Sequence, residues 1–407
     1  MATITLDYTP AERQTAGIGR LTREVAKALL ALRTRHAFRL FVMGSAPAGG
    51  PPTAAARPQT ADRPKTSLAS DPKSAIVRTS LSDRNLHRLW FRLGLRLPVE
   101  NLCGPCDLYH ATDFVLPPTR PRTRTVLTVH DLTFERDPGS AVPSLLTFLR
   151  RVVPASARRA HHIVADSYAT AHDLTELYQI PPDKITTIHS GVDFRFTTLT
   201  RGTAAQESRE IREKYSLGPQ PYLLCVGTLQ KRKNHLNLVR AFARVLRDWP
   251  AGPPPNLVIS GGRGWLYEEV VAEVAALGLG QQVNFIGFAD EADLPTLYRH
   301  ARAFAFPSLY EGFGLPLLEA MASGVPVVTS NVSSLPEVVG QTGLMVDPYD
   351  VEALAAGLDK ALRDEHWRAF AIQAGQKRAQ QFTWRRAAEQ LLEVYDKALG
   401  VPIEGRS

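Results

Sequence analysis

Short apolar runs alternate along the chain with segments whose apolar residues recur at helical spacing. The first run lies at 3–6, and a helical repeat over 21–32 follows it before a second run at 38–43. Strands joined through helices are typical of a parallel sheet that is covered on both faces. The pattern therefore predicts an α/β protein.

The alternation of strand and helix stops once and then restarts. Further strands are predicted near 108, 126–129, 163–165 and 185–188. A polar stretch follows, and the pattern resumes at 222–226. Later strands are predicted at 256–260, 283–286, 303–306 and 325–329.

We predict two doubly wound, Rossmann-like domains at 1–195 and 196–380, with a helix at about 381–400 that returns to the first domain. Two facing domains of this kind place the carboxyl ends of both sheets around one crevice, where open α/β sheets bind ligands. The segment 44–75 is rich in Pro, Ala and Gly and is predicted to be a flexible loop.

Composition narrows the choice of location and partner. No apolar run is long enough to cross a bilayer and no leader pattern opens the sequence, so a cytoplasmic protein is expected. The formal net charge of +8 favours an anionic partner, such as a nucleic acid, a membrane surface or a phosphorylated substrate. No recognised nucleic-acid-binding motif is present, so nucleic acid is not expected as a partner.

The segment 81–102 has a basic amphipathic pattern. Large apolar residues alternate with four arginines at a four-residue step: Arg84, Arg88, Arg92 and Arg96. One interpretation is a helix that faces the core and exposes its arginines to water. The other is a docking element for an anionic membrane or a lipid-linked acceptor at the inner face of the membrane.

Two cysteines, Cys103 and Cys106, have the spacing of a thioredoxin-like motif. Such a dithiol works at a helix N-terminus after a strand, whereas this pair precedes the predicted strand near 108. No second cysteine pair completes a zinc site. We therefore interpret the pair as part of a turn.

The segment 307–327 carries the densest chemical signal, because it is predicted as strand, glycine turn, helix and strand. Pro316 suits the first turn of the helix and Gly324 suits the position just past its end. A helix N-terminus can hold a diphosphate without a metal. Glu311 and Glu319 are then better placed to accept hydrogen bonds from sugar and ribose hydroxyls than to act on the phosphates.

These two glutamates, with seven residues between them, resemble the paired-glutamate motif of retaining glycosyltransferases of family 4. Other segments are similar to landmarks of that family and occur in the expected order: 17–20, 128–131, 165–167, 190–192 and 226–234. The resemblance implies the GT-B fold, with two Rossmann-like domains facing across a cleft. It also implies a nucleotide diphosphate sugar as donor and no cofactor.

The resemblance assigns roles to individual residues. Glu311 is expected near the transferred sugar, Glu319 at the ribose and His130 beside the sugar or acceptor. Arg232 and Lys233 are expected to neutralise the departing diphosphate. The remaining expected donor-binding residues are Gly17, Gly227, Phe313, Gly314 and Leu315.

One position departs from the commonest family pattern. The residue directly after Gly227, often arginine in relatives, is Thr228, and Arg232 is a candidate to replace that arginine. No Asp-x-Asp motif of the kind that chelates a metal for nucleotide-sugar binding occurs, which agrees with a metal-independent enzyme.

The expected reaction transfers a hexose to a glycan or lipid-linked saccharide, with retention of anomeric configuration, in cell-surface polysaccharide synthesis. Mannose or a related sugar is favoured, because the segments 17–20, 129–132 and 333–337 look similar to mannosyl- and rhamnosyl-transferring members. Two alternatives stay open. One is a non-catalytic nucleotide-sugar-binding protein, and the other is a phosphorylase of the same fold.

Overall fold

The structure is a computed structural model that describes residues 1–14, 17–44, 74–140, 142–197, 203–250, 252–264 and 267–401. The loop predicted at 44–75 lies, apart from its end residues, outside this range. Two parallel sheets organise the chain, one of seven strands and one of six. The strands are β1 Thr3–Asp7, β2 Ala37–Met43, β3 Ser74–Thr79, β4 Leu108–Ala111, β5 Arg124–Val129, β6 His162–Ala165, β7 Ile185–Thr187, β8 Tyr222–Val226, β9 Asn256–Ser260, β10 Val283–Gly287, β11 Ala303–Phe306, β12 Val327–Ser330 and β13 Leu344–Val346.

The helices connect these strands and cover the sheets. They are α1 Thr9–Arg13, α2 Ile18–Ala31, α3 Asp83–His87, α4 Glu100–Cys103, α5 Thr133–Arg136, α6 Pro143–Arg159, α7 Tyr168–Tyr178, α8 Ala204–Lys214, α9 His235–Arg247, α10 Tyr267–Ala276, α11 Leu294–Arg299, α12 Leu315–Ala322, α13 Leu335–Val339, α14 Val351–Arg363, α15 Glu365–Ala379 and α16 Trp384–Leu399.

The chain forms two compact units. The first comprises Met1–Leu132, Pro143–Ser190 and Trp384–Ser407, and the second comprises Thr133–Val142 and Gly191–Thr383. The division after Ser190 lies a few residues before the predicted boundary at 195/196. The assignment of Thr133–Val142 to the second unit has no counterpart in the sequence prediction.

The six strands of the second sheet have the same order as the first six strands of the first sheet, which has β7 as an additional edge strand. The first sheet runs β3-β2-β1-β4-β5-β6-β7 and the second runs β10-β9-β8-β11-β12-β13, with every strand pair parallel. In each sheet the order reverses direction once, between β1 and β4 in the first and between β8 and β11 in the second. Sheets of this topology bind ligands beyond the carboxyl ends of the strands at that switch point.

Alternate residues of the second sheet point into two separate cores. Leu224, Phe304 and Phe306 belong to one cluster of buried side chains. Their neighbours Leu223 and Ala305 belong to another, together with residues of α9 and α14. Because side chains alternate along a strand, helices cover both faces of this sheet. The prediction of doubly wound α/β domains is confirmed.

The first sheet is packed against α2 and α16. Ile4, Leu6 and Val126 share one buried cluster with Leu29 of α2 and Leu391 of α16. The C-terminal helix predicted at about 381–400 therefore lies on the sheet formed by the first part of the chain. None of the described helices combines the length and hydropathy that crossing a bilayer requires.

The single amphipathic helix inferred over 81–102 is wrong. α3 ends at His87, a π-helical turn spans Arg88–Arg92, and regular structure resumes only with α4. Gly94 adopts a φ of +67°, which lies outside the helical region. The four-residue step of the arginines therefore does not correspond to one continuous helical face.

The cysteine pair lies at the end of a helix, as its interpretation as part of a turn requires. Cys103 is the last residue of α4, and Gly104 follows it with a φ of +83°. Both cysteines are free thiols. A thioredoxin-like dithiol needs the opposite end of a helix, where the N–H groups stabilise a thiolate.

Gly261 offers a test of how closely the second unit is packed. A Cβ on this residue would lie 2.0 Å from the carbonyl oxygen of Gly227, and backbone cannot move aside as a flexible side chain can. We expect Gly261→Ala to destabilise the unit by about 1–3 kcal/mol. Thermal unfolding should then shift down by roughly 2–4 °C for each kcal/mol.

Gly280 is the matched control, because no atom in the described part of the chain lies within 4 Å of a Cβ built there. Gly280→Ala should unfold within about a degree of the parent protein. Equal midpoints for the Gly261 and Gly280 variants would contradict the close contact between the two glycine-containing loops.

Candidate active site

The switch point of the second sheet brings two loops together. β8 and β11 are hydrogen-bonded neighbours, with Leu223 opposite Ala303 and Leu224 opposite Phe304. The segment after β8 contains the basic turn Lys231–Lys233, and the segment after β11 leads to Glu311. The two segments are also joined directly, since the Leu309 N–H donates to the carbonyl oxygen of Arg232 at 2.7 Å.

Glu311 is held between two cations. Arg232 Nη1 lies 2.7 Å from Glu311 Oε2, and Lys233 Nζ lies 2.5 Å from Glu311 Oε1. The ammonium of Lys233 also lies 4.6 Å from the centre of the Phe306 ring, over its face. The structure thus brings together three of the residues predicted from sequence, and Phe306 is an additional neighbour that the sequence reasoning did not identify.

Burial and charge act in opposite directions on Glu311. Burial alone would raise its pKa, but the charges of Arg232 and Lys233 outweigh burial and hold the pKa at about 2. Burial and the neighbouring charge of Arg232 lower the pKa of Lys233 to about 8, although Glu311 opposes them. Near neutral pH the three side chains therefore carry one negative and two positive charges.

Glycines shape the space around Lys233 and the start of α12. A Cβ on Gly227 would lie 3.4 Å from Cδ and Cε of Lys233, so this glycine leaves room for the lysine side chain. Gly314 precedes α12 with a φ of +112°, and a Cβ there would lie 3.1 Å from Leu335 Cδ2. Both the backbone angle and the close leucine favour glycine at this position.

The helix α12 begins where the glycine and proline pattern predicted it. Gly314 is its N-cap and Pro316 lies in its first turn. The N–H groups of the first turn lack partners within the helix and point out of its N-terminus. Glu319 is buried one turn after Leu315, on the same side of the helix.

Two serines support the backbone of the Glu311 loop. Ser333 Oγ accepts a hydrogen bond from the Glu311 N–H at 3.0 Å. Ser334 Oγ lies 2.9 Å from the carbonyl oxygens of both Glu311 and Phe313. Sequence reasoning used the segment 333–337 only as a family resemblance and missed this supporting role. The sequence feature that could have identified this role is the pair of adjacent serines that follows a predicted strand.

His130 of the first unit is bound through both ring nitrogens. Nδ1 lies 2.8 Å from Asp166 Oδ2, and Nε2 lies 2.8 Å from the carbonyl oxygen of Thr112. A carbonyl oxygen and a carboxylate both accept, so each ring nitrogen carries a proton and the ring is an imidazolium. Burial alone would lower the pKa of His130, but Asp166 raises it to about 9.

Because both ring nitrogens of His130 already have hydrogen-bond partners, its expected contact with a sugar or acceptor needs a rearrangement. A hydrogen bond from its ring to a sugar or acceptor hydroxyl would require one of the two present partners to be exchanged. Its contact with substrate stays a prediction. Asp166 was not among the predicted site residues. It directly follows β6, and its position at the end of a strand is the sequence feature that could have identified it.

Gly17 and Gly19 differ in what surrounds them. Gly17 precedes α2 with a φ of +58°, and no atom of the described residues lies within 4 Å of a Cβ built there. A Cβ on Gly19 would instead lie 2.0 Å from the carbonyl oxygen of Gln14. Within the described residues there is space beside Gly17, whose donor contact stays a prediction, whereas Gly19 serves packing.

Two glycosyltransferase families match the chain. Residues 207–397 match the family described as Glycosyl transferases group 1, and residues 15–196 match Glycosyltransferase Family 4. Together the two matches cover most of both compact units, including the segments that carry His130, Lys233 and Glu311.

Curated relatives include two mannosyltransferases from Escherichia coli. The chain is 35% identical over 289 residues to O-antigen chain mannosyltransferase B, covering 71% of this chain and 74% of that protein. It is 31% identical over 283 residues to the serotype-specific mannosyltransferase WbdA, covering 68% of this chain. The match spans only 34% of WbdA. A D-inositol 3-phosphate glycosyltransferase from Salinispora tropica is 33% identical over 59% of this chain and 52% of its own length.

Solved structures share the fold over nearly the whole chain. Sucrose-phosphate synthase from Thermosynechococcus elongatus superposes with a TM-score of 0.70 at 20% identity, covering 98% of this chain and 100% of that one. HepE from Anabaena, solved in complex with UDP and glucose, gives the same TM-score, identity and coverage. With the two parallel sheets, this likeness confirms the GT-B fold.

The protonation of His130 predicts a pH-dependent contribution to stability. Its pKa is raised in the folded protein above the ordinary value of 6.5. The stabilisation it provides is therefore complete below pH 6.5 and disappears as the pH rises through about 9. We expect the parent protein to have a larger free energy of unfolding than His130→Gln at pH 6, and this difference should decrease at pH 7.5 and be smallest at pH 9.5. Urea unfolding at these three pH values measures it.

His162→Gln is the control, because burial lowers the pKa of His162 to about 4 and its charge does not change in that window. The stability difference between the parent and this variant should stay constant over the same range. If the stability difference between the parent and His130→Gln also stays constant over this range, His130 is not an imidazolium.

Proposed function

The chain belongs to the glycosyl transferases of group 1, and we propose that it transfers a hexose from a nucleotide diphosphate sugar with retention of anomeric configuration. Mannose is the favoured sugar, because two of the relatives are named mannosyltransferases. The proposed acceptor is a glycan or lipid-linked saccharide in cell-surface polysaccharide synthesis, since one of those relatives is named for the O-antigen chain.

The observation that carries this proposal is the cluster of Arg232, Lys233 and Glu311 beside the segment leading into α12. Two cations and one anion leave a single positive charge there, and the N-terminus of α12 adds about half a charge. A nucleotide diphosphate is an anion that can accept hydrogen bonds from both sources. These groups can bind the donor diphosphate without a metal ion.

Glu311 suits a sugar-binding role better than an acid role. A carboxylate has about four lone-pair sites, and the two cations occupy one site on each oxygen. The remaining lone pairs can accept hydrogen bonds from sugar hydroxyls. Because its pKa is held at about 2, Glu311 has no proton to donate near neutral pH. Glu319, one turn into α12, is the proposed acceptor for ribose hydroxyls.

The proposed reaction exchanges one bond at the anomeric carbon for another. The bond from this carbon to the diphosphate oxygen breaks with its electron pair going to the diphosphate, while an acceptor oxygen forms a bond on the same face. The leaving diphosphate takes the proton of the acceptor hydroxyl. Negative charge grows on the diphosphate in the transition state, where Arg232, Lys233 and the helix N–H groups stabilise it.

A nucleotide-sugar-binding protein without activity is the second candidate. It is motivated by Thr228, which stands where relatives often have arginine. In the structure, the guanidinium of Arg232 lies in the same ion-pair cluster as Lys233 and supports the catalytic alternative. Hydrolysis of a donor by the purified protein would count against a role in binding alone.

Donor hydrolysis tests the stereochemistry without knowledge of the acceptor. The protein is incubated with a panel of UDP-, GDP- and TDP-linked hexoses, and the released sugar is assigned by NMR before mutarotation. We expect release from a mannose donor, in the same anomeric form as the donor, because substitution occurs on one face. The rate should be unchanged by a metal chelator.

An inverted sugar would contradict the same-face mechanism, and loss of activity with the chelator would contradict metal independence. Formation of a sugar phosphate that depends on inorganic phosphate and not on a nucleotide would identify a phosphorylase instead.

Lys233 predicts both a rate effect and a pH effect. Lys233→Ala should lower kcat by about 10²–10³, as loss of one preorganised donor to developing charge typically does. Because the pKa of Lys233 is about 8 in the free protein, donor affinity should fall as the pH rises above 8 and the ammonium loses its proton. Calorimetric titration with the nucleoside diphosphate from pH 7 to 9.5 measures this.

Lys233→Arg keeps its charge over that range, so its affinity should depend far less on pH. Lys231→Ala, which changes an exposed lysine in the same turn, should retain the pH dependence of the parent protein. The same steep dependence in Lys233→Arg would assign the titration to another group.

A further inference from the structure

The two cysteines around the end of α4 have no part in the proposed sugar transfer. Cys103 is the last residue of α4, and β4 begins two residues after Cys106. The pair therefore lies at the amino end of this strand, whereas ligands of such sheets bind beyond the carboxyl ends. Chemistry at the two thiols is separate from the candidate active site.

Backbone geometry brings the two cysteine side chains together. Gly104 has a φ of +83°, so the chain turns directly after Cys103. The Cys103 thiol lies 3.5 Å from the carbonyl oxygen of Gly104 and is also hydrogen-bonded to the side chain of Cys106. A disulfide needs its two sulfur atoms about 2.05 Å apart. Thiols that are already in hydrogen-bond contact reach that distance through a small movement of their side chains.

Neighbouring strands hold this turn in place. Arg39 Nη1 of β2 donates to the carbonyl oxygen of Pro105 at 2.8 Å. The hydroxyl of Thr123, directly before β5, donates to the carbonyl oxygen of Cys106 at 3.4 Å. A Cβ on Gly104 would lie only 3.2 Å from Arg39 Nη1, so the guanidinium lies against the turn. The contact between the two thiols is therefore a feature of packed backbone.

The two thiols differ in exposure and in acidity. Cys103 is 1% exposed, whereas Cys106 is half-buried. The hydrogen bond with Cys103 is the main cause that lowers the pKa of Cys106, and the same bond together with burial raises the pKa of Cys103. The thiolate is the nucleophilic form of a cysteine. Cys106 can therefore attack a reagent from solvent, while Cys103 stays protonated behind it.

Charged groups of opposite sign face Cys106. The negative charge of Glu100 on α4 raises the pKa of Cys106, and the positive charge of Arg39 lowers it. Tyr109 of β4 is a buried phenol whose raised pKa keeps it neutral. The acidity of Cys106 thus depends on the second thiol and on two charges that can be removed separately.

We propose that Cys103 and Cys106 are a redox-active pair, which a hydroperoxide converts into a disulfide and a dithiol reductant restores. With hydrogen peroxide, the Cys106 thiolate attacks one oxygen, the O–O bond breaks, and the leaving hydroxide takes up a proton to give water and a sulfenic acid. The Cys103 sulfur then attacks the Cys106 sulfur. The S–S bond forms as the S–O bond breaks, and the departing hydroxide leaves as a second water with the proton of Cys103.

The electrons balance over the two steps. The two thiols together lose two electrons and two protons, and the peroxide takes them up to become two molecules of water. A dithiol reductant reverses the change by thiol–disulfide exchange and becomes a disulfide itself. This chemistry differs from that of a thioredoxin-like enzyme, because the second thiol, and not a helix N-terminus, stabilises the thiolate.

Mass spectrometry of the full chain after treatment with hydrogen peroxide tests the proposal. We expect the parent protein to lose the mass of two hydrogen atoms, and peptide mapping should join Cys103 to Cys106. Cys225 should stay reduced, because it is buried and burial raises its pKa to about 12. Treatment with a dithiol reductant should restore the original mass.

Single substitutions separate the roles of the two thiols. Cys103→Ser keeps the attacking thiol but lacks the second one, so its sulfenic acid should persist and be labelled by dimedone at Cys106. Cys106→Ser should form neither the disulfide nor the adduct, because Cys103 is buried. Cys225→Ser is the control and should behave like the parent protein. Thermal midpoints and nucleoside diphosphate affinity, measured for every variant, report folding and the donor site separately.

The facing charges provide a second test with two opposite outcomes. At pH 7, Arg39→Gln should slow the oxidation and Glu100→Gln should accelerate it, because the two charges act in opposite directions on the Cys106 thiolate. We expect changes of about threefold, since a larger thiolate fraction is partly offset by the lower nucleophilicity of a more acidic thiol. Glutamine at position 100 can still accept the hydrogen bond that Glu100 Oε1 receives from the Arg120 N–H.

Three results would overturn the proposal. One is a folded parent protein that keeps its mass in hydrogen peroxide while the same protein in denaturant loses two hydrogen atoms. Another is a dimedone adduct of Cys103→Ser at Cys225 in place of Cys106. The third is a change of rate in the same direction for Arg39→Gln and Glu100→Gln, which would indicate disturbed packing and not charge. None of these results depends on whether the chain transfers a sugar.

Discussion

The buried carboxylate of Glu311 is the constraint on which the candidate active site depends. A carboxylate removed from water is costly unless charged partners and hydrogen bonds replace the lost solvation. Here Arg232 and Lys233 supply that replacement, and both come from the turn after β8, whereas Glu311 follows β11. The pairing is possible because these two strands are neighbours in the sheet although about eighty residues separate them in sequence. The fold thus brings together charges that neither segment could stabilise alone.

Most of the fold could be predicted from the sequence, because strands buried on both faces leave continuous apolar runs and the intervening helices leave a different period. The exceptions are local. Two edge strands were not predicted: β3 follows a segment rich in Pro and Ala, and β13 has only three residues. The segment 81–102 kept a helical spacing of arginines although a π-helical turn and Gly94 interrupt the helix. In these places tertiary context overrode the pattern.

The candidate site was predictable where its residues lie in one motif and not where they pair across strands. Gly314 and Pro316 mark the start of α12 by their own backbone preferences. The bonds from Ser334 to the Glu311 loop and from Asp166 to His130 join residues far apart in sequence.

His110 and His130 both lie at the carboxyl ends of strands, yet their charges differ. His110 contacts the hydroxyls of Tyr395 and Thr128, and burial lowers its pKa to about 3.

The location of the basic residues changes what the net charge means. From composition alone, a charge of +8 favours an anionic partner without saying where it binds. In the structure the Glu311 carboxylate compensates one of the two charges of Arg232 and Lys233, so this cluster contributes a single positive charge to the excess. A larger share of the arginines lies in the first unit, where the segments 84–99 and α6 contain eight arginines and no aspartate or glutamate. The proposed binding of a phosphorylated donor and most of the basic overall charge therefore depend on different residues, and mutations that alter one need not alter the other.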